Sequence, residues 1–130
     1  MKNSKDIGLL IIRVVIGITM IAFHGLGKLM GGPDTWTKIG GSLSNIGINF
    51  TPMLFGLSAS LIETVGSLLF ILGLWTRPVA ALLAVTMLIA AISHLSRGDG
   101  FSGASHAIEL LAIYIGFILI GPGKYSIDKK

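Results

Sequence analysis

The chain has 130 residues, 52% of them hydrophobic and 12% charged, with a mean hydropathy of +0.84. Soluble domains average about 25% charged residues, so half that share points to one compact integral membrane domain over residues 1–130. The net charge of +4 is scattered, with no basic run interleaved with aromatics, which leaves no footprint for nucleic acid; the lack of cysteine excludes disulfides, thiolate metal ligands and a thiol relay within the chain.

The N-terminus, Met1 to Asp6, is polar with two lysines and leads into an apolar run, the outline of a signal peptide. Arg13 interrupts that run early, and it continues to Leu29 without a clean cleavage motif, so it reads as a retained first helix. Four apolar segments follow one another: Ile7–Leu29, Thr51–Trp75, Pro78–Leu95 and Ser105–Ile120. A spanning helix needs about 20 apolar residues, a barrel strand about 9–11 alternating ones, and backbone in lipid must satisfy its own polar groups. The expected fold is therefore all-α, an integral membrane four-helix bundle.

Between helices one and two, Gly31-Gly32-Pro33-Asp34 is a breaker with an expected N-cap at Asp34. Trp36, Ile39, Leu43 and Ile46 then recur at helical spacing, which predicts a short extracytoplasmic interfacial helix. Thr76, Arg77 and Pro78 predict a tight hairpin between helices two and three; the Gly- and Ser-rich stretch Ser96–Ala104 predicts a loop before helix four. The turn chemistry of residues 121–128 predicts a folded cap. Lys2, Lys5, Arg77, Lys124, Lys129 and Lys130 fall on the side of the termini, against Lys28, Lys38 and Arg97 opposite, which places both termini in the cytoplasm.

Glu63 stands alone in the second span, with no other ionisable residue between Lys38 and Arg77. A charge at that depth costs about 2.5–3.5 kcal/mol on insertion scales and persists where a partner, a proton, a ligand or a watery cavity offsets it. Gly56, Ser60, Glu63 and Ser67 share one face; Arg13, Gly17, Met20, His24 and Lys28 share one on helix one. Helix three ends in Ser93-His94, and helix four begins with His106 and Glu109. At a rise of about 1.5 Å per residue, His24, Lys28, His94, His106 and Glu109 fall in the outer half, Glu63 at the midplane and Arg13 in the inner half. The expected site is a polar cavity open outward and closing near Glu63 and Arg13.

Each group has a structural alternative. Glu63 either pairs with Arg13 or a serine hydroxyl as glue, or exchanges protons; Arg13 either faces inward or snorkels to headgroups; the histidines either form ordinary interfacial hydrogen bonds or share a site; Lys28 reads as interfacial and solvated. Two histidines with Glu109 would make a donor set for a transition metal, but His-x-x-Glu at one helix start is too common a pattern, and no metal is assigned. Gly17, Gly56, Gly66 and Gly73 read as packing positions.

The chain resembles the DoxX family of small four-helix membrane proteins of bacteria and archaea. The resemblance is carried by Arg13, the His24-Gly25-x-x-Lys28 end of helix one, Glu63-x-x-Gly66, Leu72-Gly73-Leu74-x-x-Arg77, Glu109, and the tail Gly121-Pro122-Gly123-Lys124-Tyr125-Ser126-Ile127-Asp128. It covers almost the whole chain and implies a bundle in the cytoplasmic membrane. Some relatives form the membrane subunit of thiosulfate:quinone oxidoreductases, and others are associated with redox-stress complexes. The family is also similar to the bundles of quinone-linked thiol oxidoreductases, whose cysteines are missing here.

The function expected is a membrane component of a redox system, a quinone-linked oxidoreductase subunit, that binds a quinone or another small lipophilic ligand. Glu63 and Glu109 would exchange protons, His24, His94 and His106 would orient a ligand oxygen, and Arg13 would balance negative charge. No haem, flavin or nicotinamide motif is present, so electrons would come from substrate or from a soluble or membrane redox partner. The rival readings are a transport or ligand-binding module coupled through Glu63, working as a homodimer, and a scaffold for a partner enzyme. The lipid bilayer is common to all three.

Overall fold

The computed structural model describes residues 3–128; Lys2, Lys129 and Lys130 of the charge argument lie outside them. Helix α1 runs Ser4–Met30 and contains a π turn at Ile21–Gly25. The short α2, Gly32–Gly40, continues as a 3-10 segment, Gly41–Ile46. Then come α3 (Pro52–Leu72, with a second π turn at Ile62–Gly66), α4 (Thr76–Ser96) and α5 (Gly100–Ile120). Helices α1, α3, α4 and α5 are long and apolar enough to cross a membrane, and no strand occurs among the described residues. Their mean hydropathies are alike, but 39% of the α4 window is buried against 17% of the α1 window, which makes α4 the central helix.

The boundaries shift where turn glycines act. The α3–α4 hairpin turns on residues 73–75, with Gly73 (φ 67°) and Trp75 (φ 52°) left-handed, so Thr76 and Arg77 already belong to α4. Gly73 is thus a turn residue as well as a packing position: a β-carbon there would also overlap Ser126 Cβ and sit 2.6 Å from Arg13 Nη1. Gly98 and Gly100, at φ 80° and 72°, complete the next turn within three residues, and α5 takes up residues 100–104 that the sequence predicts as loop. The cap of α2 is Gly31, not Asp34; Asp34 lies in the first turn, where a carboxylate suits the positive helix end.

α2 packs along the first turns of α3 at very short range. A β-carbon at Gly56 would overlap the Trp36 backbone, and one at Gly40 the Pro52 backbone. Gly40 looks like a helix breaker in the sequence; it is the contact point that lets two backbones touch. α1 meets the rest of α3. From Ile62 onward α3 also packs on α4, while Pro52–Leu61 stands off from it and the 3-10 segment bridges the gap. A π turn inserts one extra residue into the ladder and commonly bends a helix. The second π turn lies where α3 parts from α4.

The core is Met20, Phe70, Leu83, Met87, Leu110, Tyr114 and Phe117, with Phe70 edge-on to Tyr114 (5.4 Å) and Phe117 (4.9 Å). Both ends of the described chain meet at one end of the bundle. There the Lys124 N–H donates to Asp6 Oδ1 (3.0 Å), the Ile127 and Asp128 N–H groups donate to Leu72 and Gly73 carbonyls (3.1 and 2.9 Å), and the Asp128 carboxylate accepts from the Trp75 and Thr76 N–H groups (2.9 and 2.8 Å). The tail is a folded cap, and it supplies the N-terminus of α4 with acceptors.

Candidate functional site

Glu63 lies inside the π turn of α3 and is 2% exposed. Its carboxylate accepts two bonds from Lys28 Nζ, at 3.0 and 2.9 Å. The partner is therefore Lys28, not Arg13 and not a serine. The Ser60 hydroxyl donates within its own helix, to the Gly56 carbonyl. Gly25 makes the approach feasible. A β-carbon there would sit 2.6 Å from Thr64 Oγ1 and 2.8 Å from the Glu63 carbonyl carbon, so only glycine lets α1 lie on the backbone beside the carboxylate. Lys28 is not merely solvated: its side chain is 35% exposed, and its carbonyl accepts from Trp36 Nε1 at 3.1 Å, which ties the end of α1 to α2.

Beside this pair lies a polar cavity of about 110 Å³, lined by His24, His94, His106, Lys28 and Glu63 with Met20 and Met87 on its apolar wall. His24 and His106 stack, with ring centroids 4.8 Å apart and planes at 23°. His94 Nδ1 lies 2.9 Å from Asp99 Oδ2 and 3.0 Å from an Arg97 nitrogen, and Arg97 Nε donates to Asp99 at 3.3 Å. Asp99 is in the turn outside the spans. The hydrogen bond from His94, helped by Arg97, holds its carboxyl below the usual range.

Four of the expected site residues thus come together: Glu63, His24, His94 and His106. Two do not. Glu109 is exposed on α5 and is not among the residues that line the cavity. Arg13 is fully buried toward the other end of the bundle, where its guanidinium donates to the Ile71 carbonyl at 2.8 Å and to the Tyr125 carbonyl. It neither snorkels nor faces the cavity; it fastens α1 to α3 and the tail. Lys28 is the residue the sequence reasoning left out of the site. Its i+4 spacing from His24 was visible, but a lysine two residues from a helix end reads as solvated until α2 is seen folded over it.

The arrangement offers two charged groups that can separate, imidazole nitrogens that donate or accept, and a wall of methionine. Among the described residues, no three His, Asp or Glu side chains converge on one point.

Spanning helices around a buried ion pair define a multi-pass membrane protein. The chain belongs to the DoxX family, whose profile matches residues 8–95, a stretch that includes Lys28 and Glu63. It is 34% identical to an uncharacterized protein of Haemophilus influenzae, over 100% of this chain and 95% of that one. It is 31% identical to the Bacillus subtilis protein named "Putative oxidoreductase CatD" (98% and 90% covered) and 30% identical to the Escherichia coli "Inner membrane protein YqjF" (99% and 95%). No solved structure matches the chain.

Proposed function

We propose that this protein is the membrane component of a redox system and binds the head of a quinone, or of a similar small lipophilic molecule, in the cavity between α1, α3, α4 and α5. The observation that carries the reading is the Lys28–Glu63 pair, buried at the carboxylate and open at the ammonium, on the wall of a cavity edged by three histidines. The name of the Bacillus subtilis relative is consistent with it.

The donor set fits such a head. Its carbonyl oxygens need N–H donors, which Lys28 and the stacked His24 and His106 carry. When bound, a quinone accepts two electrons together with two protons. The chain's own part is protonic and positional. Lys28 and the imidazoles orient the oxygens, and Glu63, a carboxylate while bonded to Lys28, would take up a proton at its Oε atoms as Lys28 moves to the ligand and give it up as Lys28 returns. His94 Nδ1 lies within reach of both Asp99 and Arg97 and, where it donates to Asp99, is held at the cavity edge by that bond. Electrons come from a substrate or a partner. On this reading the cavity faces outward from the cytoplasmic membrane, with both termini inside.

Mass spectrometry of small molecules released from gently purified protein tests the ligand directly; a quinone in stoichiometric amount is expected. Glu63→Gln and Glu63→Leu test the role. Gln retains shape and hydrogen bonding but not titration, so it should fold and lose ligand-linked proton uptake. Full proton uptake in a stable Gln variant would sink the protonic role.

A further inference from the structure

We infer that the site has a second, apolar chamber that takes the hydrocarbon tail of its ligand directly from the bilayer, with the Lys28–Glu63 pair as the gate between the two chambers. This rests on the reading that the site takes a lipophilic molecule, and it adds the route and the tail.

The chamber measures about 220 Å³ and lies where Pro52–Leu61 stands off from α4 under the 3-10 segment. Its walls include Ile39, Leu43, Phe55, Ile62, Val85 and Ile89. Three hydroxyls also line it, but each is spent on its own chain: Ser42 on the Ile39 carbonyl (2.7 Å), Ser58 on Leu54 (2.8 Å) and Thr86 on Leu82 (2.9 Å). With those O–H donors engaged, the chamber offers a ligand mainly hydrocarbon and hydroxyl oxygens that can still accept, apart from its one charged end. That end is Lys28 and Glu63, which line the polar cavity as well. The ion pair is the partition between an apolar room and a polar one.

Size points the same way. Small-molecule pockets run about 300–1,000 Å³, so 110 Å³ holds no more than part of a ligand, while the two chambers together reach the lower end of that range. The rim at Leu82 and Val85 is 52% and 55% exposed on a face that a spanning helix turns to lipid. Lys28, on a flexible four-carbon stem, is the movable half of the gate, and Glu63, set in the α3 backbone and buried, is the fixed half. A ligand oxygen that takes the ammonium opens the partition. The occupant this fits has a flat, oxygen-bearing head and a hydrocarbon chain.

The test uses the full chain in phosphatidylcholine nanodiscs, with Trp36 fluorescence as the readout, since Trp36 is bonded to Lys28. The probes are a decyl-tailed benzoquinone, tail-less tetramethylbenzoquinone and 12-bromododecanoic acid. The variants are Ala59→Phe, which fills the chamber, and Val85→Phe at its rim; the second carries the test if the first fails to fold. The tailed quinone should lose at least tenfold in affinity in the variants while the tail-less one changes less than twofold. Equal loss of both, or no loss of the tailed one, would overturn the inference, as would failure of both tailed probes to bind the unmodified protein. Tail-less binding with both tailed probes excluded would overturn it while leaving the quinone reading intact. Binding of the bromo acid but of neither quinone, abolished by Ala59→Phe, would uphold the chamber and remove the quinone.

Discussion

Lys28 and Glu63 decide most of what a single substitution does here. Removing one partner of a buried pair leaves an uncompensated charge, a loss of about 3–5 kcal/mol, whereas replacing both with apolar groups is often neutral or better. Lys28→Met strands the Glu63 carboxylate, which is 2% exposed, and should fall in this range, about 3–5 kcal/mol; Glu63→Leu leaves a lysine that reaches solvent and should cost less, and the double variant Lys28→Met/Glu63→Leu should be more stable than Lys28→Met. Thermal unfolding of the four proteins in one detergent measures this; additive losses would mean the two do not interact. Tyr114 has the opposite sign. Its buried hydroxyl has no protein partner among the described residues, so Tyr114→Phe should leave the melting temperature unchanged or raise it. A drop of several degrees would show that water holds that hydroxyl.

Among the elements, the four spans were plain in the sequence, because 20 apolar residues in a row leave few choices. The two π turns were not. A π turn keeps the composition of a helix and only shifts its register, so the buried face of α1 passes from Arg13, Gly17 and Met20 to Gly25 in place of His24. That slip, with the folding of α2 over the end of α1, is why counting along straight helices does not bring out Lys28 as the partner of Glu63, for which Arg13 or a serine hydroxyl stands as the structural alternative. Glu109 lies outside the cavity for a related reason: two neighbours at i and i+3 need not both line it. The α2–α3 crossing has no slack, so Gly56→Ala should block the fold or lower the melting temperature by tens of degrees, while Gly41→Ala, with open space around it, should not. At the α4–α5 turn the Asp99 carboxyl sits below its ordinary value of 3.8. Its bonds to His94 and Arg97 are at full strength above that ordinary value and are lost as pH falls through the lower, folded one. The turn should thus hold its shape from neutral pH down to about 4, and NMR titration of the Asp99 side chain would check it.

For the molecule as a whole, orientation follows the count of basic residues outside the spans. Lys28, Lys38 and Arg97 lie at the histidine end and Lys5, Arg77 and Lys124 at the other, with which the sequence expectation counts Lys2, Lys129 and Lys130. We predict that cysteines at Lys5 and Lys124 are labelled only from the cytoplasm, and those at Gly41 and Arg97 only from outside. The reverse pattern would turn the cavity inward.

The clasp at the terminal end also sets an order of events during synthesis. Arg13 is made with the first span, yet one of its acceptors, the Tyr125 carbonyl, is made after all four. The acceptors for the start of α4 arrive later still, with Asp128. A nascent chain therefore carries a guanidinium that can meet the Ile71 carbonyl but not the Tyr125 one until residues 121–128 are translated, and the clasp closes only then. Stopping the chain after Lys124 should yield a protein that inserts normally but is cleared quickly by membrane proteases, and pulse-chase decay of the shortened chain against the full one would reveal that quality control.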